Sequence, residues 1–319
     1  MNMNKLEILS IILTNRCNLK CAYCGRNENK DNECIKRELS NSKWLEIFKD
    51  AKDIGLKKVN MTGGEIFCRS DSIELIKDTI NMGLNVSIET NGTMITESQI
   101  KELSQYKDNL SMSISLDGIT SETNNLTRGN GSFEKTFNTI KTIKKYNIPL
   151  RIITVLSDNN YDEIPKLAKT IHEELGLGFR LLPNIIEYGK GVTANDEYGV
   201  SYPKIKKLMD DFYYDFLRKH AEDENLTIEL NMAIIPIDIY RHSFCPWGKA
   251  MLGIGYSGNV ALCHVASDND MFIFDNVKNN KISDIWKYNK KLLKFVNENP
   301  DDLKGVCGNC LARSLCRGG

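Results

Sequence analysis

Apolar positions in the first half of the chain fall into two alternating periods. Short runs rich in valine, isoleucine and leucine occur at 6–13, 58–61, 85–89, 110–116, 150–155 and 178–182. Their length and aliphatic, β-branched content predict buried parallel strands. Between them, 42–54, 72–82, 97–106, 133–146 and 161–175 carry helix-spaced apolar residues, with Gly55, Gly83 and Gly176 marking helix ends. Six alternating units predict an α/β fold, a partial (β/α)6 TIM-like barrel with helices outside a curved parallel sheet. Chemistry in such sheets gathers at the C-terminal strand ends. Residues 14–24, 62–65 and 90–92 fall there.

The second half reads differently. Residues 184–196, with Gly189 and Gly191, read as a connection, and 202–224 as a long helix. Its stripe of Leu208, Phe212, Tyr213 and Phe216 is a packing face. From 231 the chain becomes a small cysteine-rich unit, in which 251–255 and 259–263 flank Tyr256-Ser257-Gly258 as a hairpin. Three segments follow: a core at 1–183, a connecting segment and helix at 184–230, and a cysteine-rich domain at 231–319.

Composition narrows the classes. The 319 residues are 41% hydrophobic and 26% charged, a globular balance. Lysine plus arginine and aspartate plus glutamate both number 42, which gives no general surface for nucleic acid. No apolar run approaches the roughly 18 residues that cross a bilayer, and the N-terminal stretch lacks a secretory cleavage site. The expectation is a cytoplasmic protein without nucleic-acid or membrane partners. Ten cysteines in a reducing compartment read as metal ligands rather than disulfides.

The sharpest cluster is Cys17-x3-Cys21-x2-Cys24, just after the first strand. Three thiolates on one loop can hold three corners of a [4Fe-4S] cube and leave the fourth iron open to a chelating cofactor. A zinc knuckle is the competing reading. With Tyr23 before the third cysteine, this spacing resembles the signature of radical S-adenosylmethionine (SAM) enzymes. Thr62-Gly63-Gly64-Glu65 resembles their Gly-Gly-Glu element, in which a carbonyl and a carboxylate hold the SAM ammonium; Ile66 replaces a proline common in relatives. The same resemblance sets Thr90, Asn91 and Ser115 along the SAM ribose and carboxylate. Arg128 would then pair with that carboxylate, and Leu182 would pack near the adenine.

The C-terminal cysteines, Cys245, Cys263, Cys307, Cys310 and Cys316, with Gly258, resemble the SPASM and twitch auxiliary-cluster regions of that family. The chain stops one position short of the family's next cysteine. The resemblance implies at least one auxiliary [4Fe-4S] or other iron–sulfur cluster, with Cys245, Cys263, Cys307 and Cys310 as the twitch-type set; a zinc ribbon is the alternative. His264 stands where sulfatase-maturing relatives carry an acidic base, which makes it the candidate catalytic proton acceptor. His172 and His220, on predicted helices, carry no catalytic signal.

The function implied is reductive cleavage of SAM to a 5′-deoxyadenosyl radical, followed by hydrogen abstraction from a peptide or protein substrate, with crosslinking or oxidation as the outcome. Only 16 residues precede Cys17, so a peptide would be recognised by the barrel or by a separate protein. The alternatives are a twitch-type dehydrogenase of a small molecule such as a sugar alcohol, and a non-catalytic metal-binding or redox-sensing protein. An electron donor such as flavodoxin or ferredoxin is the expected partner.

Overall fold

The computed structural model describes residues 5–26, 32–183, 185, 190–220, 222–224, 226–228, 247–297 and 304–309. Six parallel strands run side by side in chain order: β1 (Ile8–Ile12), β2 (Lys58–Thr62), β3 (Asn85–Thr90), β4 (Leu110–Ser115), β5 (Leu150–Val155) and β6 (Gly178–Leu182). A short β7 (Leu226–Ile228) extends the sheet in parallel beyond β6. On the other edge β8 (Met251–Ile254) pairs in parallel with β1, Ile8 opposite Met251 and Ile11 opposite Ile254. β9 (Asn259–Ala261) and β10 (Ile273–Asn276) follow antiparallel. The sheet stays open, in the order β10-β9-β8-β1-β2-β3-β4-β5-β6-β7. The expected partial barrel is present, and its C-terminal hairpin is joined to it by main-chain hydrogen bonds.

Helices cover the outer face: α1 (Asn32–Arg37), α2 (Asn41–Lys52), α3 (Ser72–Asn81), α4 (Glu97–Leu103), α5 (Ser121–Arg128), α6 (Ser132–Lys145) and α7 (Ile164–Lys169). Further along lie α8 (Gly191–Tyr198), α9 (Tyr202–Phe212), α10 (Ile282–Tyr288), α11 (Lys290–Val296) and α12 (Gly305–Gly308). Local chemistry fixes their starts. Ser40 caps α2 by accepting from Lys43 N, and Thr96 with Gln99 forms a capping box on α4. Chain reversal after α3 uses Gly83 at φ +80°, which a side chain would strain.

Four elements depart from the expected layout. α5, polar along most of its length, has little apolar periodicity and is set by the Thr120 cap on Thr123 N. The helix expected over 161–175 begins as a 3-10 turn (Tyr161–Glu163) and ends as a π-helical turn (Thr170–Glu174). α9 likewise runs into a π-helical turn, Tyr213–Leu217. Part of the expected connection at 184–196 is helical, as α8. Among the described residues no helix is long and apolar enough to cross a membrane.

The two faces of the sheet differ. Leu9, Ile11, Val59, Met61, Val86, Ile88, Met112, Ile114, Ile152, Phe179 and Leu181 are buried against Trp44, Phe48, Ile76, Ile100, Ile143 and Leu167. Each such side chain contributes about 1.5–3 kcal/mol by leaving water. The alternating positions, Lys58, Asn60, Ser87, Glu89, Ser111, Ser113, Ser115, Arg151 and Arg180, are half-buried on the concave face. A strand period of two therefore separates an apolar core from a polar trough.

Packing of the segment after β9 against β8 relies on Gly253. A Cβ there would lie 2.2 Å from His264 N and 2.3 Å from the Cys263 carbonyl carbon. Gly253→Ala is expected to lower stability by about 1–3 kcal/mol, the usual cost of overpacking. Thermal unfolding would measure it, and an unchanged midpoint would contradict the tight contact.

Candidate active site at the C-terminal strand ends

The loop after β1 is locked before any cofactor is considered. Gly64 N donates to Thr14 O at 2.8 Å, and Glu65 N to Arg16 O at 2.7 Å. A Cβ at Gly63 would sit 2.4 Å from Thr14 O, and one at Gly64 would sit 2.3 Å from Arg16 O. Both glycines therefore let main chain lie against the main chain of the cysteine loop, a reason beyond ligand approach. Ala22 N donates to Thr127 O (2.8 Å), which pins the far side of the loop to α5. Arg16 forms two bonds to Glu38, at 3.2 and 2.9 Å, and Thr14 Oγ1 donates to the same carboxylate. Buried Arg69 donates to Leu13 O and Leu39 O, closing the base.

Cys17, Cys21 and Cys24 are all half-buried on this loop. Burial pushes the Cys17 thiol up to about 11, with Cys21, Glu65 and Cys24 adding repulsion and the Leu19 N–H opposing. Burial also raises Cys21, with Arg128 opposing. Three neighbouring sulfurs cannot ionise together here without positive charge among them, and iron supplies that charge. The donor set suits a [4Fe-4S] cluster.

Glu65 is fully buried and holds the next strand end. Its Oε1 accepts from Thr90 Oγ1 (2.7 Å) and Phe67 N (3.2 Å), its Oε2 from Asn91 N (2.7 Å). Burial raises its pKa against those three donors. Within the protein this carboxylate already accepts three hydrogen bonds, which fix its position at the strand ends. Ile66, in place of proline, is buried in the core at the start of a 3-10 turn that Glu65 caps. Asn91 reaches back to the cysteine loop, with Nδ2 donating to Asn18 Oδ1 (3.0 Å) and lying 3.9 Å from Cys17 Sγ.

Beyond β4, Asp117 organises the third corner and was not anticipated. Arg128 Nε approaches Asp117 Oδ2 at 2.7 Å, and Nη2 donates to Oδ1 at 3.2 Å. Thr127 Oγ1, Val155 N and the Tyr23 hydroxyl donate to the same carboxylate. Burial works against the Arg128 charge, but Asp117, Tyr23 and Cys21 outweigh it and raise its pKa. Burial likewise raises the Tyr23 phenol. Arg128 is thus held in a buried ion pair with Asp117. Ser115 ends β4 and Leu182 ends β6, both half-buried on the concave face.

Inside the trough, Arg180 Nη1 lies 3.5 Å from Glu89 Oε1. Burial lowers the Lys58 pKa, Arg151 lowers it further, and Glu89 opposes both. Among the described strand residues of this face, Lys58, Arg151 and Arg180 stand against Glu89. The signal was in the sequence: Ser111-x-Ser113-x-Ser115 on β4 alternates as a one-sided strand does, not as a strand buried on both faces.

Cys263 and His264 follow β9 directly. His264 Nδ1 is 2.9 Å from Ser10 Oγ on β1, and its ring centroid lies 5.7 Å from that of Trp247. Burial, aided by Arg26 and Arg180, pushes the imidazole down to about 3. Burial thus favours the neutral form of the ring over the charged one. Cys245, Cys310 and Cys316 lie outside the described residues. Cys307 falls on α12, without a described side chain.

Fold and site define a class in which an open parallel half-barrel carries a three-thiol loop. The radical SAM superfamily profile matches residues 11–171, and SPASM, an iron-sulfur cluster-binding domain, matches 245–311. The chain belongs to the radical SAM superfamily and is an enzyme with an iron–sulfur cluster and SAM as cofactors, plus a second iron–sulfur-binding region. It is similar to the AdoMet-dependent heme synthase of Methanosarcina barkeri, 25% identical over 99% of this chain and 91% of that protein. It is also similar to the PqqA peptide cyclase of Rhizobium meliloti, 26% identical over 96% of this chain and 80% of that protein. Streptococcus suis SuiB bound to precursor peptide SuiA shares the fold at TM-score 0.77 and 20% identity, over 99% of this chain and 72% of that one.

Two predictions follow from the geometry. Asp117→Ala leaves the buried Arg128 charge uncompensated and is expected to cost about 3–5 kcal/mol, measured by denaturant unfolding; a loss under about 1 kcal/mol would contradict the pairing. Lys58 has a lowered pKa when folded, so its protonated form weakens folding below that pKa. That penalty fades as pH rises from the lowered value toward 10.5. Lys58→Met should therefore raise the thermal midpoint at pH 7 and gain less at pH 10, and equal gains at both would contradict it.

Proposed function

We propose that this chain matures a peptide or protein substrate by hydrogen-atom abstraction. The support that carries the reading is its end-to-end likeness, barrel and SPASM region together, to a peptide cyclase. The polar trough agrees with it, since an open concave face admits an extended chain beside the cysteine loop.

In this reading Cys17, Cys21 and Cys24 hold the [4Fe-4S] cluster. Gly63, Gly64, Glu65, Thr90, Asn91, Ser115, Arg128 and Leu182, with Tyr23, form the wall for SAM. Cys263 contributes to an auxiliary cluster with Cys245, Cys307 and Cys310, and Cys316 is a further thiolate of that region. Bound there, the cluster and SAM supply abstraction of hydrogen from an unactivated C–H bond. The chain's own work is positional. Glu65 fixes Thr90 and Asn91, Asp117 fixes Arg128 and Tyr23, and the neutral His264 ring walls the trough beside Ser10. Covering the reacting centre keeps water from competing. A low-potential flavodoxin or ferredoxin supplies electrons, and a reducing cytoplasm suits an oxygen-labile cluster.

A small molecule in the trough is the second reading, favoured by the equally complete likeness to the heme synthase. Isotope transfer separates the two. Reconstituted enzyme, SAM and dithionite are incubated with extract from perdeuterated bacterial cells, and 5′-deoxyadenosine is examined for deuterium. Deuterium that vanishes when the extract is first treated with protease is the expected result. Transfer that survives protease would overturn the peptide reading in favour of a small molecule.

A further inference from the structure

Three ligating side chains left aside by the sequence reading meet at the opposite end of the barrel from the cysteine loop. His172 lies in the π-helical turn that prolongs α7, while His220 and Asp223 follow the one that prolongs α9. One ligand atom from each lies within 4.8 Å of the other two. His172 Nε2 is 3.1 Å from Asp223 Oδ2, and the two imidazoles meet edge to face with centroids 4.7 Å apart. His172 is buried, whereas His220 and Asp223 are half-buried, which leaves a path for an ion from solvent. Leu177, beside them, immediately precedes β6, so the cluster sits at the N-terminal strand ends, away from the SAM site.

The hydrogen bonding around the rings gives the cluster its direction. His172 Nδ1 lies 3.2 Å from the Leu177 carbonyl and its Nε2 3.1 Å from the Asp223 carboxylate, and both partners can only accept. A neutral ring carries one proton, so one of its nitrogens is left as an acceptor against an acceptor. A cation between them, or a second proton on the ring, removes that conflict. His220 Nε2 lies 2.9 Å from Glu173 Oε1, another acceptor, which leaves the other ring nitrogen as a donor of electrons. A backbone carbonyl behind one histidine and a carboxylate behind the other is the arrangement that orients imidazoles on metals. π-helical turns also recur at functional positions, because the widened helix re-aims its side chains.

We propose that His172, His220 and Asp223 bind a zinc-class divalent cation that fastens the helix after β5 to α9. Two imidazoles and one carboxylate suit borderline ions, with water completing the coordination. An ion bound only by the folded state raises stability in proportion to its occupancy.

The test uses the reconstituted iron–sulfur protein with zinc chloride as the only addition, followed by desalting, metal counting and thermal unfolding. Wild type is compared with His220→Asn, Asp223→Asn and His172→Gln; the first two alter half-buried positions and spare the core. Wild type should retain about one zinc more per chain than each variant, with equal iron in all, and only wild type should gain a higher midpoint from zinc. Equal zinc retention and equal midpoint shifts across the four proteins would overturn the site. A wild-type midpoint that ignores zinc would also overturn it.

Discussion

Main chain against main chain is the constraint on which the site depends. Gly63 and Gly64 lie so close to Thr14 and Arg16 that a methyl group at either glycine would meet a carbonyl oxygen within 2.4 Å. The two hydrogen bonds across that contact hold the cysteine loop to the end of β2. Glu65, next in the chain, carries the constraint to the end of β3 through Thr90 and Asn91, and Asn91 returns it to Asn18 beside Cys17. Three strand ends are thereby fixed to one another with a buried carboxylate at their centre. Such preorganisation lets a site bind cofactors without first ordering its own walls.

The rest of the fold serves that arrangement by keeping its two faces distinct. Helices bury the outward aliphatic positions, and the stability of the domain comes from there. Freed from that duty, the concave face carries serines, Asn60 and the charged set of Lys58, Glu89, Arg151 and Arg180. The C-terminal hairpin widens this face beyond β1 and brings His264 onto Ser10.

Much of this was legible in the chain itself, for physical reasons. The boundaries of β5 and β6 coincide with their apolar runs because burial and strand length coincide there. The cysteine spacing announced its chemistry because one short loop must supply three ligands. What stayed hidden depends on contacts distant in sequence. Asp117 looks like an ordinary loop acid until α5 brings Arg128 and the cysteine loop brings Tyr23. Glu65 reads as a ligand for SAM, and its bonds to Thr90 and Asn91, 25 and 26 residues further on, are not visible in the sequence. His264 reads as a base, and only the packing around it reveals the burial that favours its neutral form. The serine alternation on β4 was visible and pointed to a one-sided strand.

EPR of the dithionite-reduced, anaerobically reconstituted protein, recorded with and without SAM, tests the central claim most directly. The account predicts a reduced [4Fe-4S] signal whose g values move when SAM is added, and that SAM-responsive component disappears when Cys17, Cys21 and Cys24 are replaced together by alanine. A cluster spectrum indifferent to SAM, or one whose response survives that triple replacement, would contradict it.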